Sequence, residues 1–409
     1  MKKLKRRHFL ALSALAAPVV MPGKLLGREG FVPPNEKIHL ALIGKGNRGN
    51  DHIGMFCGNP DFQLTAVCDC WDAHMRDGKS LIDRRYGNHD CRMFQSYEEI
   101  LTRKEFDAIS IATPDHWHTK IALEACRAGM DVFSEKPLTL TLLEGRQIVA
   151  GARKYNRVCS SGSQRVMEDY GYMAPIIQSG VVGEVREIHV GVGPAGVDCY
   201  LPEEPTPEGL DWDRWLGQAP WAPFNAERMS GSYGGGWRRF SDYGNGFLAD
   251  WGAHKYGGAL YACGMDHMVP VKVFQPNTEA NPSNEMLAVF PNGVKVYHGG
   301  PHDITIIGTE GEYRHRQPAK PRHAVNVRRY HGGATNIVAD FAFCVRNRLR
   351  PFQDFFYGAR TAALCQIFNI AYKTGHDLTW DDENMVFVGD EVATRMVSRP
   401  QRAPYTFEV

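Results

Sequence analysis

Gly44 ends the short apolar run 38–44, Gly46 and Gly49 follow it, and the sequence after them reads as a helix. That spacing suits phosphate binding. Gly44 permits the tight turn, Gly46 lets the backbone approach a pyrophosphate, and Gly49 allows close packing of helix on strand. The free N–H groups of the helix N-terminus then face the anion. Asn47 and Arg48 stand inside the same loop. Asp69 closes the next apolar run, 20 residues after Gly49. A carboxylate at that distance can accept hydrogen bonds from an adenosine ribose. It would also repel a 2′-phosphate, so NAD is favoured, with NADP kept open by the nearby Arg48 and Arg76.

These residues need a scaffold. Runs 38–44, 64–69, 106–114, 131–137 and 157–162 read as strands, and they alternate with helices near 47–57, 72–86, 118–129 and 140–155. That alternation predicts a doubly wound parallel sheet. Beyond Gly162 the texture changes. Segment 198–252 is rich in Gly, Pro and aromatics, and holds Trp212, Trp215, Trp221, Trp237 and Trp251. Runs 185–192, 268–275, 285–290, 294–299 and 303–309 read as a mainly antiparallel sheet. The expected fold is therefore α/β: an N-terminal Rossmann domain over 36–160, then an α+β domain over 161–400 with a large open sheet.

The 409 residues suffice for two domains, and 43% hydrophobic with 23% charged residues is a globular balance. Lys and Arg number 47 against 46 Asp and Glu, and five of the bases lie in the first 23 residues, which hold no acid. The remainder thus has a slight acidic excess, which argues against a nucleic-acid partner. The ten cysteines form no CxxC pair and no compact cluster with histidine, so neither a metal site nor a disulfide framework is expected.

Residues 1–30 read as a signal peptide and linker. The apolar stretch 9–21 is too short to span a bilayer, and Arg6-Arg7 before it resembles a twin-arginine export signal. The expected location is the periplasm, with no membrane anchor after signal removal.

The loop GKGNRG, the stretch 112–137 (ATPDHWHTKIALEACRAGMDVFSEKP) and the stretch 244–258 (GNGFLADWGAHKYGG) resemble the Gfo/Idh/MocA family, named for glucose–fructose oxidoreductase and inositol dehydrogenase. The likeness extends over about residues 36–400. It implies a catalytic lysine, Lys136, within Glu135-Lys136-Pro137, and an Asp-x-x-x-His element, here Asp250 and His254. It also implies that the loop Thr113, Pro114, Asp115, His116, Trp117, His118 passes under the cofactor. A homo-oligomer joined through the C-terminal sheet is expected too. The chain departs from the family at Gly257 and Gly258, where another acid is common, and at Lys255 beside the histidine.

Oxidising a secondary alcohol needs a base for the hydroxyl proton and a hydride acceptor on the carbon. His254 suits the first task, because an ordinary imidazole titrates near neutral pH. Asp250, four residues earlier, shares its helix face and can tune it or hold a substrate hydroxyl. Lys136, after a strand, can stabilise the developing alkoxide. Asp115 reads as a helix cap. His116, Trp117, His118, Glu135 and Lys136 are candidate cofactor contacts, and metal binding by His116 and His118 lacks further ligands. Tyr233, Trp237 and Arg238 could rim a sugar site, with Arg165 entering the cleft. The expected function is a periplasmic NAD(P)-dependent oxidoreductase acting on a sugar, glycoside or polyol hydroxyl. An NAD-dependent glycosidase working by transient oxidation is the alternative, and a non-catalytic nucleotide-binding protein comes third.

Overall fold

Apolar residues dominate the first strand, Ile38–Ile43 (β1), and five of its six side chains are buried. A strand covered on both faces belongs inside a parallel sheet. The computed structural model, which describes Pro33, residues 36–231 and residues 235–407, places it there. β2 (Phe62–Cys68), β3 (Arg92–Phe94), β4 (Ala108–Ile111), β5 (Asp131–Ser134) and β6 (Cys159–Ser161) complete a six-stranded sheet in the order β3-β2-β1-β4-β5-β6. All its pairings are parallel. The order reverses beside β1, so a crevice opens at the carboxyl ends of β1 and β4. The glycine loop, Asp69, Thr113 and Lys136 all follow strand ends on that edge.

Helices cover both faces. Asn47–Cys57, Asp72–Tyr86, Asp115–Ala128 and Leu142–Lys154 are the crossovers. The third begins at Asp115, three residues before the start read from the sequence. Its first turn carries three bulky side chains, and all of them are buried.

The second sheet has eight strands. They are β7 (Val185–Val190), β8 (Lys272–Phe274), β9 (Met286–Val289), β10 (Lys295–His298), β11 (Ile304–Gly308), β12 (Gly311–Arg314), β13 (Leu378–Asp381) and β14 (Val386–Phe387). Their order is β12-β11-β7-β10-β9-β8-β13-β14. The β7–β10 pair is parallel and the other neighbours are antiparallel. Helices Gly252–Ala262 and Phe355–Thr374 lie against one face, where Ile188, Val296, Ile306, Leu364 and Phe368 share a core.

Two late helices return to the first sheet, which a boundary at residue 160 does not anticipate. Phe355 and Ala359 join the apolar cluster of β4 and β5. Helix Ile337–Asn347 packs beneath β1, β2 and β5, with the Phe341 ring stacked on Phe62 at 6.0 Å and edge-on to Phe133 at 5.7 Å. All ten cysteines are free thiols. Among the described residues no helix is long and apolar enough to cross a membrane.

Phe341 is fully buried. Phe341→Ala is expected to destabilise the protein by about 3–5 kcal/mol through lost burial and a residual cavity. Urea unfolding at constant slope checks this. A loss below about 1 kcal/mol would mean the helix does not hold the first domain together.

Candidate active site

The loop after β1 is built on close backbone approach. Gly44 has φ +89°, and a Cβ there would lie 2.8 Å from the Ala112 carbonyl and Thr113 nitrogen. A Cβ on Gly49 would lie 2.3 Å from the Gly44 oxygen, whereas one on Gly46 would meet nothing within 4 Å. Gly44 and Gly49 are thus required by packing, and Gly46 leaves open space toward the cleft. The Asp69 carboxylate accepts from the Lys45 backbone N–H at 2.7 Å and from the Trp71 N–H at 3.0 Å. It stands in the wall of a cavity of about 670 Å³ that runs from Trp71 and His74 past Gly46 to Lys136 and His254. An open glycine cradle, a bare helix N-terminus and a carboxylate at the β2 end fit a dinucleotide. Gly44, Gly46, Asn47 and Thr113 line this cavity together with Asp69, and would hold the phosphates and the ribose respectively.

The two arginines that kept NADP open are engaged elsewhere. Arg48 Nε donates to Glu135 Oε1 at 2.7 Å, and its Nη1 meets Asp51 at 3.0 Å. Arg76 is exposed and paired with Asp72. Glu135 also lines the cavity, yet its carboxylate is occupied by protein groups. Beyond Arg48 it contacts His52 Nε2 at 2.9 Å and the Lys136 N–H at 3.2 Å. Burial alone would raise this carboxyl, but Arg48 and His52 outweigh it and hold it well below the usual range.

Lys136 reaches the second domain. Its Nζ donates to Asp250 Oδ1 at 2.6 Å and to the Asp250 carbonyl at 3.1 Å. Arg238 Nε lies 3.5 Å from the same carboxylate, and its guanidinium stacks 4.3 Å from the Trp237 ring. Helix Gly246–Asp250 ends at Asp250, and helix Gly252–Ala262 carries His254 in its first turn. Asp250 therefore engages Lys136 and Arg238 rather than the imidazole, which corrects the tuning role read from the spacing. His254 is buried, and its Nδ1 has no hydrogen-bond partner. Burial and the nearby Lys136 charge push its pKa well below the ordinary histidine value, so the ring is neutral at pH 7.

Other expected residues fall elsewhere. His116 and His118 stand behind the cleft wall. His116 sits 3.1 Å from the Trp215 carbonyl, and burial lowers its pKa to about 3. The His118 ring lies between the Pro137 and Thr113 carbonyls, at 2.8 and 3.1 Å. Both rings serve packing, because the turn that aims Trp117 at the cavity directs its neighbours inward. Asp115 makes no capping bond. It is buried with Oδ1 unpartnered, and burial and the Asp250 charge push its carboxyl up. Trp237 and Arg165 line the cavity, and Tyr233 lies outside the described residues.

The sequence reading passed over Trp71 and His74 beside Asp69, and over His52, which links Ser110 to Glu135. Aromatics directly after a strand-end acid were the available signal. It also missed a cluster remote from the cleft, where His331, Asp340 and Cys344 converge. There Asp340 accepts from the backbone N–H groups of His331 and Phe352 at 2.6 and 2.7 Å. Burial lifts the Cys344 thiol to about 12, so these groups pin a turn.

Two family models match this chain: an oxidoreductase-family NAD-binding Rossmann fold over residues 38–163, and an oxidoreductase-family C-terminal alpha/beta domain over residues 194–407. The protein belongs to the Gfo/Idh/MocA oxidoreductase family. Among curated relatives, Glycosyl hydrolase family 109 protein 1 of Shewanella sp. (strain MR-4) is 29% identical over 216 residues. An alpha-N-acetylgalactosaminidase of Shewanella oneidensis matches to the same extent. Each match spans 45% of this chain and 45% of the relative. Myo-inositol 2-dehydrogenase from Lactobacillus plantarum shares the fold at TM-score 0.56 and 17% identity, covering 84% of this chain and all of that one. The WlbA dehydrogenase of Bordetella pertussis, solved with NADH and UDP-GlcNAcA, does so at TM-score 0.55 and 18% identity, covering 84% and 99%.

Lys136→Met and His254→Ala are each expected to cut turnover by about 10²–10⁴ while leaving nucleotide affinity near wild type. Stopped-flow nicotinamide absorbance with calorimetric NAD titration separates the two effects. Because His254 stays neutral as pH falls through 6.5, the acid limb of kcat/KM should lie below that value. A limb at or above 6.5 that survives His254→Ala would remove His254 as the base.

Proposed function

We propose that the protein moves hydride between NAD and a secondary hydroxyl of a sugar, glycoside or polyol. The observation that carries this is the Lys136–Asp250 contact beside a neutral, buried His254, at the end of a cavity that begins on an open glycine loop. Bound NAD supplies a hydride acceptor and later a donor. His254 takes the hydroxyl proton. The Lys136 ammonium orients that oxygen and stabilises its developing charge, while Asp250 holds the lysine in place. Trp237 and Arg238 line the same cavity, where the rest of a sugar would lie.

One feature favours the glycosidase alternative, in which the same oxidation is transient. Segment 207–231 folds back over the nucleotide end. Leu210 bridges Trp71, the Asp211 N–H donates to the Cys70 carbonyl at 2.9 Å, and Asn47 Nδ2 donates to the Gly231 carbonyl at 3.1 Å. A cofactor covered in this way is suited to recycling within one turnover. Oxidation of a ring hydroxyl acidifies the neighbouring C–H. Loss of that proton and of the aglycone is followed by water addition and hydride return. The relatives named as a glycosyl hydrolase and as an alpha-N-acetylgalactosaminidase agree with this reading.

Residues 1–30 lie outside the described residues. We assign them to export into the periplasm, and assign self-association to the C-terminal sheet.

Incubation of the purified protein with a saccharide panel distinguishes the reactions. Net NADH marks a dehydrogenase, and aglycone release without NADH marks the glycosidase. Neither signal from any saccharide, in protein shown to hold NAD, would count against both. Replacing Arg6 and Arg7 together by lysine should strand the protein in the cytoplasm, since a general secretion signal needs only positive charge. Unchanged periplasmic yield on fractionation would refute the twin-arginine assignment.

A further inference from the structure

Trp251 is the wall between two cavities. On one side lies the cleft just described. On the other lies a space of about 600 Å³, bounded by helix Arg165–Glu168, the segment after β7 and the loop before β11. Arg165 and Trp251 line both. Trp251 directly follows Asp250, and its ring centroid is 6.1 Å from that of His254. Despite this central position the residue is 36% exposed. The Arg165 guanidinium lies 5.3 Å from the ring and the Lys255 ammonium 5.9 Å.

The floor of this second space is polar and tethered. Lys255 Nζ donates to the Gly191 carbonyl at 2.6 Å and to Asp303 Oδ1 at 2.8 Å. The lysine that departs from its expected type beside the histidine therefore points away from it. Asp303 Oδ2 also meets His315 Nδ1 at 3.4 Å. Asp169 is paired with Arg165. Arg316 is exposed on the rim, its backbone N–H tied to the Tyr172 hydroxyl at 2.7 Å.

A partly exposed indole beside fixed donors and acceptors offers the mixed apolar and polar surface that matches a pyranose, whose C–H face is apolar and whose hydroxyls are polar. An aryl group would also stack on Trp251, but it would desolvate Lys255 and Asp303 without bonding them. We propose that this second cavity binds another sugar unit of the substrate. The reacting sugar lies against Lys136 and His254, and its glycosidic neighbour rests on Trp251. The preferred substrate is then a disaccharide or longer. This rests on the proposed reading of the cleft as a sugar-oxidising site.

The test compares disaccharides with the methyl glycosides of their reacting units, on NAD-loaded protein. Calorimetric titration of the Lys136→Met variant reads binding without turnover. Disaccharides should bind about tenfold tighter, the size of one well-packed contact. Trp251→Ala and Arg316→Ala should each bring that ratio toward one, and Trp251→Phe should retain most of it. A ratio near one in the Trp251-containing protein, or one indifferent to both alanine variants, overturns the proposal. So does an equal gain from aryl glycosides. In parallel, wild-type protein is followed by nicotinamide absorbance and aglycone release. Silence there with every saccharide overturns the oxidising reading of the cleft, while the calorimetric ratio still decides whether the second cavity takes a sugar.

Discussion

One buried carboxylate holds the catalytic edge of the first sheet together. Glu135 sits at the end of β5 with no solvent to hydrate it, so its charge persists only because Arg48 and His52 reach it from the first helix. The helix that opens the nucleotide loop is thereby tied to the strand end that carries Lys136. Gly162, after β6, closes the arrangement from the other side: a Cβ there would stand 2.8 Å from Glu135 Oε1. Removing Arg48 would leave the Glu135 carboxylate buried without its main counter-charge, which is among the costlier defects a fold can carry.

Lys136 extends from that anchor to Asp250, and the second domain must bring Asp250 to it. Helix Phe355–Thr374 performs the joining, with its amino-terminal turns in the first core and its middle in the second. Polar contacts fix the register. Gln366 donates to the Thr139 carbonyl at 2.8 Å. Asn369 donates to Asn245, which in turn donates to the Leu140 carbonyl, both at 2.8 Å. These amide donors reach their carbonyl and amide acceptors in one alignment only, so these bonds specify geometry more than they add stability. The segment after Pro137 and the loop before helix Gly246–Asp250 are therefore held at a set separation, and Lys136 meets Asp250 without either side chain having to search.

The histidines of the loop after β4 show how far sequence reasoning carries. His116, Trp117 and His118 are adjacent in the motif after β4, and types alone make all three candidates. Only Trp117 lines the cavity. A helix turn sends successive side chains in different directions, and which of them meets the cleft depends on where the helix begins and what covers it. Asp250 and His254 show the same limit. Their spacing places them on one face, yet the carboxylate turns to a lysine 114 residues earlier, because an ammonium desolvated at that point needs its charge matched.

What the amino-acid sequence determined by itself is whatever short-range physics controls. The alternation of apolar runs with helical stretches prescribes a doubly wound sheet. Glycines spaced for close backbone approach prescribe the tight turn after β1, with an acid closing β2 beside it. These depend on neighbours within about one βαβ unit. Tertiary structure alone decided the long-range pairings: Arg48 and His52 on Glu135, Lys136 on Asp250, Phe341 beneath the first sheet, and Trp251 between two cavities. Each is a contact between residues far apart in the chain. It forms because a buried charge needs a counter-charge and a buried ring needs a packing partner, and local pattern carries no record of which distant residue will supply them.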